Sequence, residues 1–293
     1  MNFSGCVRII FGMRVAQTPA IALPATLLAV APARAAPVQT EHLAIELVAE
    51  RTALVPGTDA LLGVRLQHEP HWHTYWINPG DSGLETRLQW KLPPGFAAGS
   101  IEWPAPRRLA AGELTNFGYV DEIVLPVRIA VPADARPGGT ARLGVVANWL
   151  VCEDTCIPGK ATLELELPIL ADSAPDDRWQ ALFDHARAAR PIASGWRGEA
   201  RVSGGLVEIT LAGAGLPADG ELDLFPVQGQ VLEAARPEFE RDGERLVVHA
   251  QKSIYFANAP ERLDLVLTAG VGESLRAWRA SVPLIVGPEP ASH

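Results

Sequence analysis

An all-β protein is predicted by three observations. Short apolar runs recur along most of the 293 residues, and 26 Gly and 25 Pro are spread between them as turn punctuation. Within several runs apolar and polar residues alternate at period two: Thr162, Glu164 and Glu166 against Leu163, Leu165 and Leu167. Only one stretch, within 172–189, carries helical spacing instead.

Taken in order, strands are predicted over 42–49, 59–67, 74–78, 86–91, 123–131, 141–151 and 161–167. Pro56-Gly57, Pro79-Gly80-Asp81-Ser82-Gly83, Pro93-Pro94-Gly95 and Pro137-Gly138-Gly139 separate them. Seven strands at this spacing predict an immunoglobulin-like β-sandwich over 37–170. A short helical linker follows over 171–195, with Ser173 as N-cap, an apolar stripe of Trp179, Leu182, Phe183 and Ala186, and Arg190-Pro191 as the stop. Strands then resume at 198–202, 206–212, 221–226, 245–251, 262–268 and 279–286, which predicts a second, smaller β-sandwich domain over 196–287. The tail 288–293 is expected to be disordered.

Residues 1–35 have the composition of a cleavable secretory signal peptide. Arg8 and Arg14 precede an apolar segment over 20–31, interrupted by Pro24, and Ala33-Arg34-Ala35 gives a small-x-small cleavage pattern. Met13 is an alternative start. The leader holds three Arg and no acid, so its removal lowers the formal net charge from −9 to −12. That balance argues against a nucleic-acid partner. Export to an oxidising compartment is the setting in which a cysteine pair can cycle through a disulfide.

With Cys6 in the leader, Cys152 and Cys156 are the pair left in the mature chain. Extended backbone would hold residues four apart roughly 13 Å from each other, whereas a disulfide needs Cα atoms within about 4.4 to 6.8 Å. The chain must therefore turn at Glu153, Asp154 and Thr155, between two predicted strands. A ring of five residues contributes only about 2 kcal/mol on the loop-entropy account. It is a poor staple, and short accessible rings tend toward the exchangeable range of potentials. Glu153 and Asp154 disfavour the thiolate, which suits a reductant better than a strong oxidant.

Two further runs stand out. In His71-Trp72-His73-Thr74-Tyr75-Trp76, strand alternation places His71 and His73 on one face. With Cys152 and Cys156 these could form a soft site suited to copper; the alternative is two polar positions on an aromatic-rich strand. Trp76, Trp90, Trp103 and Trp149 read as core. Asn116-Phe117-Gly118-Tyr119 reads as a loop bent at Gly118, its aromatic rings either covering a reactive disulfide, docking a partner, or packing. There is no Gly-rich phosphate cradle, no Gly-x-Ser-x-Gly elbow and no Cys-x-x-Cys.

The sequence resembles a known family in three ordered motifs: 73–83 (His-Thr-Tyr-Trp-Ile-Asn-Pro-Gly-Asp-Ser-Gly), 116–119 through Leu125-Pro126-Val127, and Trp149-Leu150-Val151-Cys152 with Cys156-Ile157-Pro158-Gly159. These resemble the periplasmic N-terminal region of DsbD-like and ScsB-like thiol:disulfide interchange proteins. The resemblance implies a periplasmic immunoglobulin-like domain in which Cys152 and Cys156 are catalytic. It implies electrons received from a membrane-embedded DsbD/ScsB-type donor and passed to oxidised thioredoxin-like or DsbC-like clients, with no bound cofactor. It also implies a cap loop over the cysteines, a role carried onto Phe117 and Tyr119. The three-residue gap between the cysteines is closer to the ScsB-like branch, which is linked to copper tolerance. Full-length members continue into a membrane domain; this chain stops before one, so a separate donor is implied. The competing classes are a copper-binding or metallochaperone module and a non-enzymatic interaction domain with a structural bridge.

Overall fold

The structure is a computed structural model, and it describes Met1 and residues 36–217 and 220–287. The predicted leader and tail lie outside the described residues. Residues 36–217 and 220–287 belong to one compact unit. The first part holds β1 (Val38–Thr40), β2 (Leu43–Ala49), β3 (Asp59–His68), β4 (Thr74–Gly80), β5 (Arg87–Lys91), β6 (Ala97–Ile101), β7 (Arg107–Ala111), β8 (Leu114–Tyr119), β9 (Glu122–Ala130), β10 (Thr140–Cys152) and β11 (Cys156–Pro168). After α1 (Gln180–Ala188) come β12 (Ile192–Ala193), β13 (Arg197–Ser203), β14 (Leu206–Ala212), β15 (Leu222–Pro226), β16 (Glu238–Asp242), β17 (Arg245–Gln251), β18 (Arg262–Ala269) and β19 (Arg276–Val286).

The fold is all-β, as predicted. One sheet runs β1-β2-β3-β9-β6 and another β11-β10-β5, with β4-β8-β7 as a third. The alternation that predicts strands also fills the space between them. Ile45, Leu47, Leu62, Val64, Leu66, Leu125 and Val127 pack with Leu143, Val145, Ala147 and Leu163 in one core, closed by Trp76 and Trp149. Partly buried Trp90 and Trp103 pack against it, so all four tryptophans read as core have that role. The helix lies outside this core, Phe183 and Ala186 sitting with Val48 and Val124.

The later strands run β15-β18-β19-β13-β14-β17-β16. The long β19 pairs with β18 along Arg276–Pro283 and with β13 along Leu284–Val286. The sheet thereby folds over its own core of Trp196, Val207, Ile209, Leu246, Val248, Leu263 and Leu265.

Four expectations are corrected. The helix starts at Gln180, not near 172, because Ser173 is committed elsewhere: its Oγ accepts a hydrogen bond from Ala53 N at 2.9 Å. β11 begins at Cys156 rather than Ala161, so both cysteines terminate strands. The 116–119 segment is strand, not loop. A side chain at Gly118 would come within 2.1 Å of Thr74 O, so this glycine permits the close approach of β8 to β4 rather than a bend. Lastly, β4 begins at Thr74, so the alternation drawn through His71 does not hold: His71 is exposed at φ 74°, in a left-handed turn, while His73 is buried.

Candidate redox site at the cysteine hairpin

The β10–β11 ladder is in unbroken antiparallel register from Thr140↔Pro168 to Cys152↔Cys156. That register brings the two Cα atoms to 4.2 Å, and the sulfurs are bonded. The turn is Glu153-Asp154-Thr155, where the sequence requires one, closed by Glu153 N donating to Thr155 O at 3.3 Å. The two cysteines differ in access. Cys152 is 1 % exposed, whereas Cys156 is exposed at the tip. Cys152 is anchored through its backbone, since it and His73 exchange both N–H···O bonds, at 2.9 and 3.0 Å.

That bridge sets the strand of the aromatic run beside the sulfurs. Tyr75, fully buried, places its hydroxyl 3.6 Å from Cys156 Sγ. Its ring occupies the space a side chain at Gly83 would need, 2.1 Å from the Cβ position, and Gly83 at φ 105° has the conformation that allows it. Burial pushes the Tyr75 phenol up, partly opposed by a hydrogen bond with Ser82. The hydroxyl therefore stays protonated at neutral pH and is a donor.

His73 packs edge-on against the Tyr75 ring, with centroids 5.1 Å apart. Its state follows from its neighbours. Asn116 Oδ1 accepts hydrogen bonds from Ser82 N at 3.2 Å and Ser82 Oγ at 3.0 Å, which fixes the amide with its NH₂ toward His73 Nε2, at 3.5 Å. Nε2 is thus the acceptor, and burial lowers the His73 pKa, keeping the ring neutral. His68 behind it is pushed down to about 4, chiefly by burial. With Nδ1 bonded to Asp121 O and Nε2 to Thr74 Oγ1, both at 2.9 Å, it too is neutral. The sulfurs sit against uncharged groups, with only exposed Glu153 and Asp154 as charged neighbours in the turn.

The expected cap residues are not at the sulfurs. Phe117, 1 % exposed, packs edge-on with Phe225 at 5.2 Å, and Tyr119 donates its hydroxyl to Pro104 O at 2.8 Å. Both belong to β8, and the ring that touches the cysteine pair is Tyr75. The candidate copper set is not gathered either. His71 stands apart in its turn, His73 Nε2 faces Asn116, and among the described residues no group of three or more His, Cys, Asp or Glu could hold a metal ion. Tyr75, Ser82 and Asn116 were present in the motifs but carried no separate signal, because nothing in the sequence sets β4 beside a hairpin 81 residues away.

The first part is riveted to the second. Arg108 donates to Asp223 through Nη2 at 2.7 Å and Nε at 3.1 Å, and also to Ala234 O and Leu224 O, while covering Phe117 and Phe225. Asn78 Nδ2 donates to Pro226 O at 2.8 Å.

Comparison with known proteins agrees with this geometry. Residues 44–168 match the family described as "Thiol:disulfide interchange protein DsbD, N-terminal". Among solved structures, the N-terminal periplasmic domain of ScsB from Proteus mirabilis aligns at a TM-score of 0.59 and 17 % identity, over 83 % of this chain and 94 % of that one. A chimeric titin Z1Z2 (TM-score 0.21, 13 % identity, 86 % and 100 % covered) and the Bacillus cereus pilin subunit BcpA*(D312A) (0.26, 9 %, 83 % and 69 %) lie far lower. No curated protein matches the sequence. Among the described residues no helix is long and apolar enough to cross a membrane.

Proposed function

We propose, from the match of residues 44–168 to the DsbD N-terminal family and the fold shared with the ScsB N-terminal domain, that this chain is a periplasmic thiol:disulfide relay whose Cys152–Cys156 pair passes reducing equivalents to oxidised thiol proteins. The observation that carries the reading is the asymmetry of the pair: an exposed Cys156 at the hairpin tip and a buried Cys152 bonded to it.

In the forward step the Cys156 thiolate attacks one sulfur of the partner's disulfide. A Cys156–partner bond forms, the partner's S–S bond breaks, and its released sulfur takes a proton. Cys152, deprotonated in turn, attacks Cys156 Sγ; the partner's second sulfur leaves and the Cys152–Cys156 bond re-forms. Two electrons and two protons have moved to the partner, and no bound cofactor is needed. The Tyr75 hydroxyl is within reach to donate to the Cys156 thiolate. Glu153 and Asp154 oppose the thiolate, which suits a donor of electrons.

In this reading residues 37–170 carry the chemistry and 196–287 brace them. A membrane-embedded DsbD/ScsB-type protein restores the dithiol, and thioredoxin-like or DsbC-like proteins receive it. The test is to express Cys152→Ala and Cys156→Ala separately and run periplasmic extract on non-reducing gels. Cys152→Ala, which keeps the exposed sulfur, should trap covalent adducts that dithiothreitol releases, and Cys156→Ala should not. Absence of adducts from both variants would remove the relay.

A further inference from the structure

β5 ends the sheet that carries the cysteines, and among the described strands nothing pairs with its outer edge. It is straight, in unbroken register with β10 from Gly144↔Lys91 to Asn148↔Arg87. The facing edge, β6, is blunted by a register shift against β9 between Ala98 and Ile101. Between these edges the sandwich opens as a slot of about 440 Å³, walled by Ile77, Leu88, Trp90, Ile101 and Trp103. Ile77 is 40 % exposed there. Thr86, which also lines the slot, is 2 % exposed and its Oγ1 has no hydrogen-bond partner.

On the outer face of the same strand lies a cleft of about 540 Å³. Cross-strand register sets Arg87, Asn148 and Lys160 in one row of that face, with Lys91 further along β5. In a chain of net charge −9 this strip gathers cations beside Glu85, which lines the cleft and accepts from Arg87 Nε at 2.8 Å in an exposed pair that an incoming carboxylate can exchange with.

We propose that β5 receives an extended segment of the redox partner as an added strand, with apolar side chains entering the slot and acidic ones alternating over Arg87 and Lys160. Main-chain bonds at an open edge supply affinity and alternate pockets supply selectivity. The edge is continuous with the chemistry. Cys152 lies four residues beyond Asn148 along β10, roughly 13 Å, and an added strand would stand roughly 10 Å to the side of β10. Cys156 lies on β11, one strand further across, so a partner cysteine about six extended residues past the docked segment reaches it. Docking of this kind selects partners by where the cysteine falls relative to the strand.

This inference rests on the proposed relay, and the test separates the two. The probe is a synthetic peptide of three Val–Glu repeats, a five-residue Gly/Ser spacer and a cysteine carried as its mixed disulfide with thionitrobenzoate. Reduced protein is mixed with it and thionitrobenzoate release is followed; Cys156 attacks the peptide sulfur, the dye leaves as thiolate, and Cys152 then frees the peptide thiol. Comparison probes lack the repeats, carry Val–Lys repeats, or have a one-residue spacer. The full probe should react about tenfold faster than the one without repeats, and the Val–Lys and short-spacer probes should lose that advantage. R87E/K160E should abolish it while leaving the rate with the repeat-free probe unchanged. Equal rates for all probes, or an advantage that survives R87E/K160E, would overturn the docking. So would a protein that pairs with itself by sedimentation and is separated by R87E/K160E, since a second copy would then be the occupant. Failure to react with even the repeat-free probe would count instead against the relay.

Discussion

The Tyr75 hydroxyl and Cys156 Sγ stand 3.6 Å apart, from strands that no local pattern in the sequence connects. A hydroxyl there favours whichever sulfur state can accept from it, and a thiolate accepts more strongly than a thiol. Tyr75→Phe should therefore slow alkylation of Cys156 near neutral pH, because the thiolate loses a donor. The rate of iodoacetamide capture as a function of pH, in a Cys152→Ala background, reads this directly. An unchanged profile would show that the contact plays no part in the thiol state.

The two buried histidines tie stability to acid. His68 is held neutral with its pKa pushed down to about 4 from an ordinary 6.5, and His73 is lowered in the same direction, both by burial. Below pH 6.5 the unfolded chain takes up a proton that folded His68 refuses, so stability is fully present above pH 6.5 and falls as pH drops toward 4. The His68 share is about 3 kcal/mol. Urea midpoints between pH 7.5 and 4 should fall accordingly. His68→Gln should lower the midpoint at pH 7.5 but flatten its dependence on pH across that window.

Removing the disulfide should cost little. A ring of five residues constrains the unfolded chain by only about 2 kcal/mol, and the surrounding ladder from Thr140↔Pro168 to Val151↔Ile157 does not depend on it. Cys152→Ser/Cys156→Ser should therefore fold, with a loss of at most about 2 kcal/mol by denaturant titration, while all thiol exchange disappears. A loss of 4 kcal/mol or more, about twice the loop-entropy value, would mark the bond as a structural bridge.

How much of this was legible in the sequence varied with how local the cause was. The cysteine hairpin was legible because four-residue spacing and disulfide reach force a turn, and the flanking alternation names the strands. The first core was legible for the same reason of period. β6, β7 and β8 were not. Ala97–Ile101, Arg107–Ala111 and Leu114–Tyr119 are short and lack alternation, and Gly118 imitates a turn signal although it serves close strand packing. Ser173 imitates an N-cap, yet Ala53, distant in sequence, claims its hydroxyl. The Tyr75, Ser82 and Asn116 network depends on three segments meeting, which is a property of register and not of any one motif.

Arg108 illustrates the same point with a cost attached. Its guanidinium and the Asp223 carboxylate are both largely buried, at 14 % and 15 % exposure. Arg108→Ala would leave the largely buried Asp223 carboxylate without its cation, though still accepting from Leu224 N at 2.8 Å, and strip the cation from two aromatic faces. The expected loss is about 3 kcal/mol. Arg108→Met with Asp223→Leu should recover part of it, because an apolar pair leaves no buried charge unmatched. Thermal unfolding of the three variants tests the ordering.

Phe117 separates the shielding role expected of it from the packing role it has. Its ring packs edge-on against Phe225, which also packs edge-on against Trp76, and lies under the Arg108 guanidinium. Phe117→Ala should cost about 3 kcal/mol through the cavity it leaves. If the ring screened the sulfurs, the same substitution would also speed dithiothreitol reduction of Cys152–Cys156 in the folded protein. Because Tyr75 is the ring against Cys156, that rate should stay within about twofold of wild type at a temperature where both remain folded. A many-fold acceleration under those conditions would return Phe117 to the role of a lid.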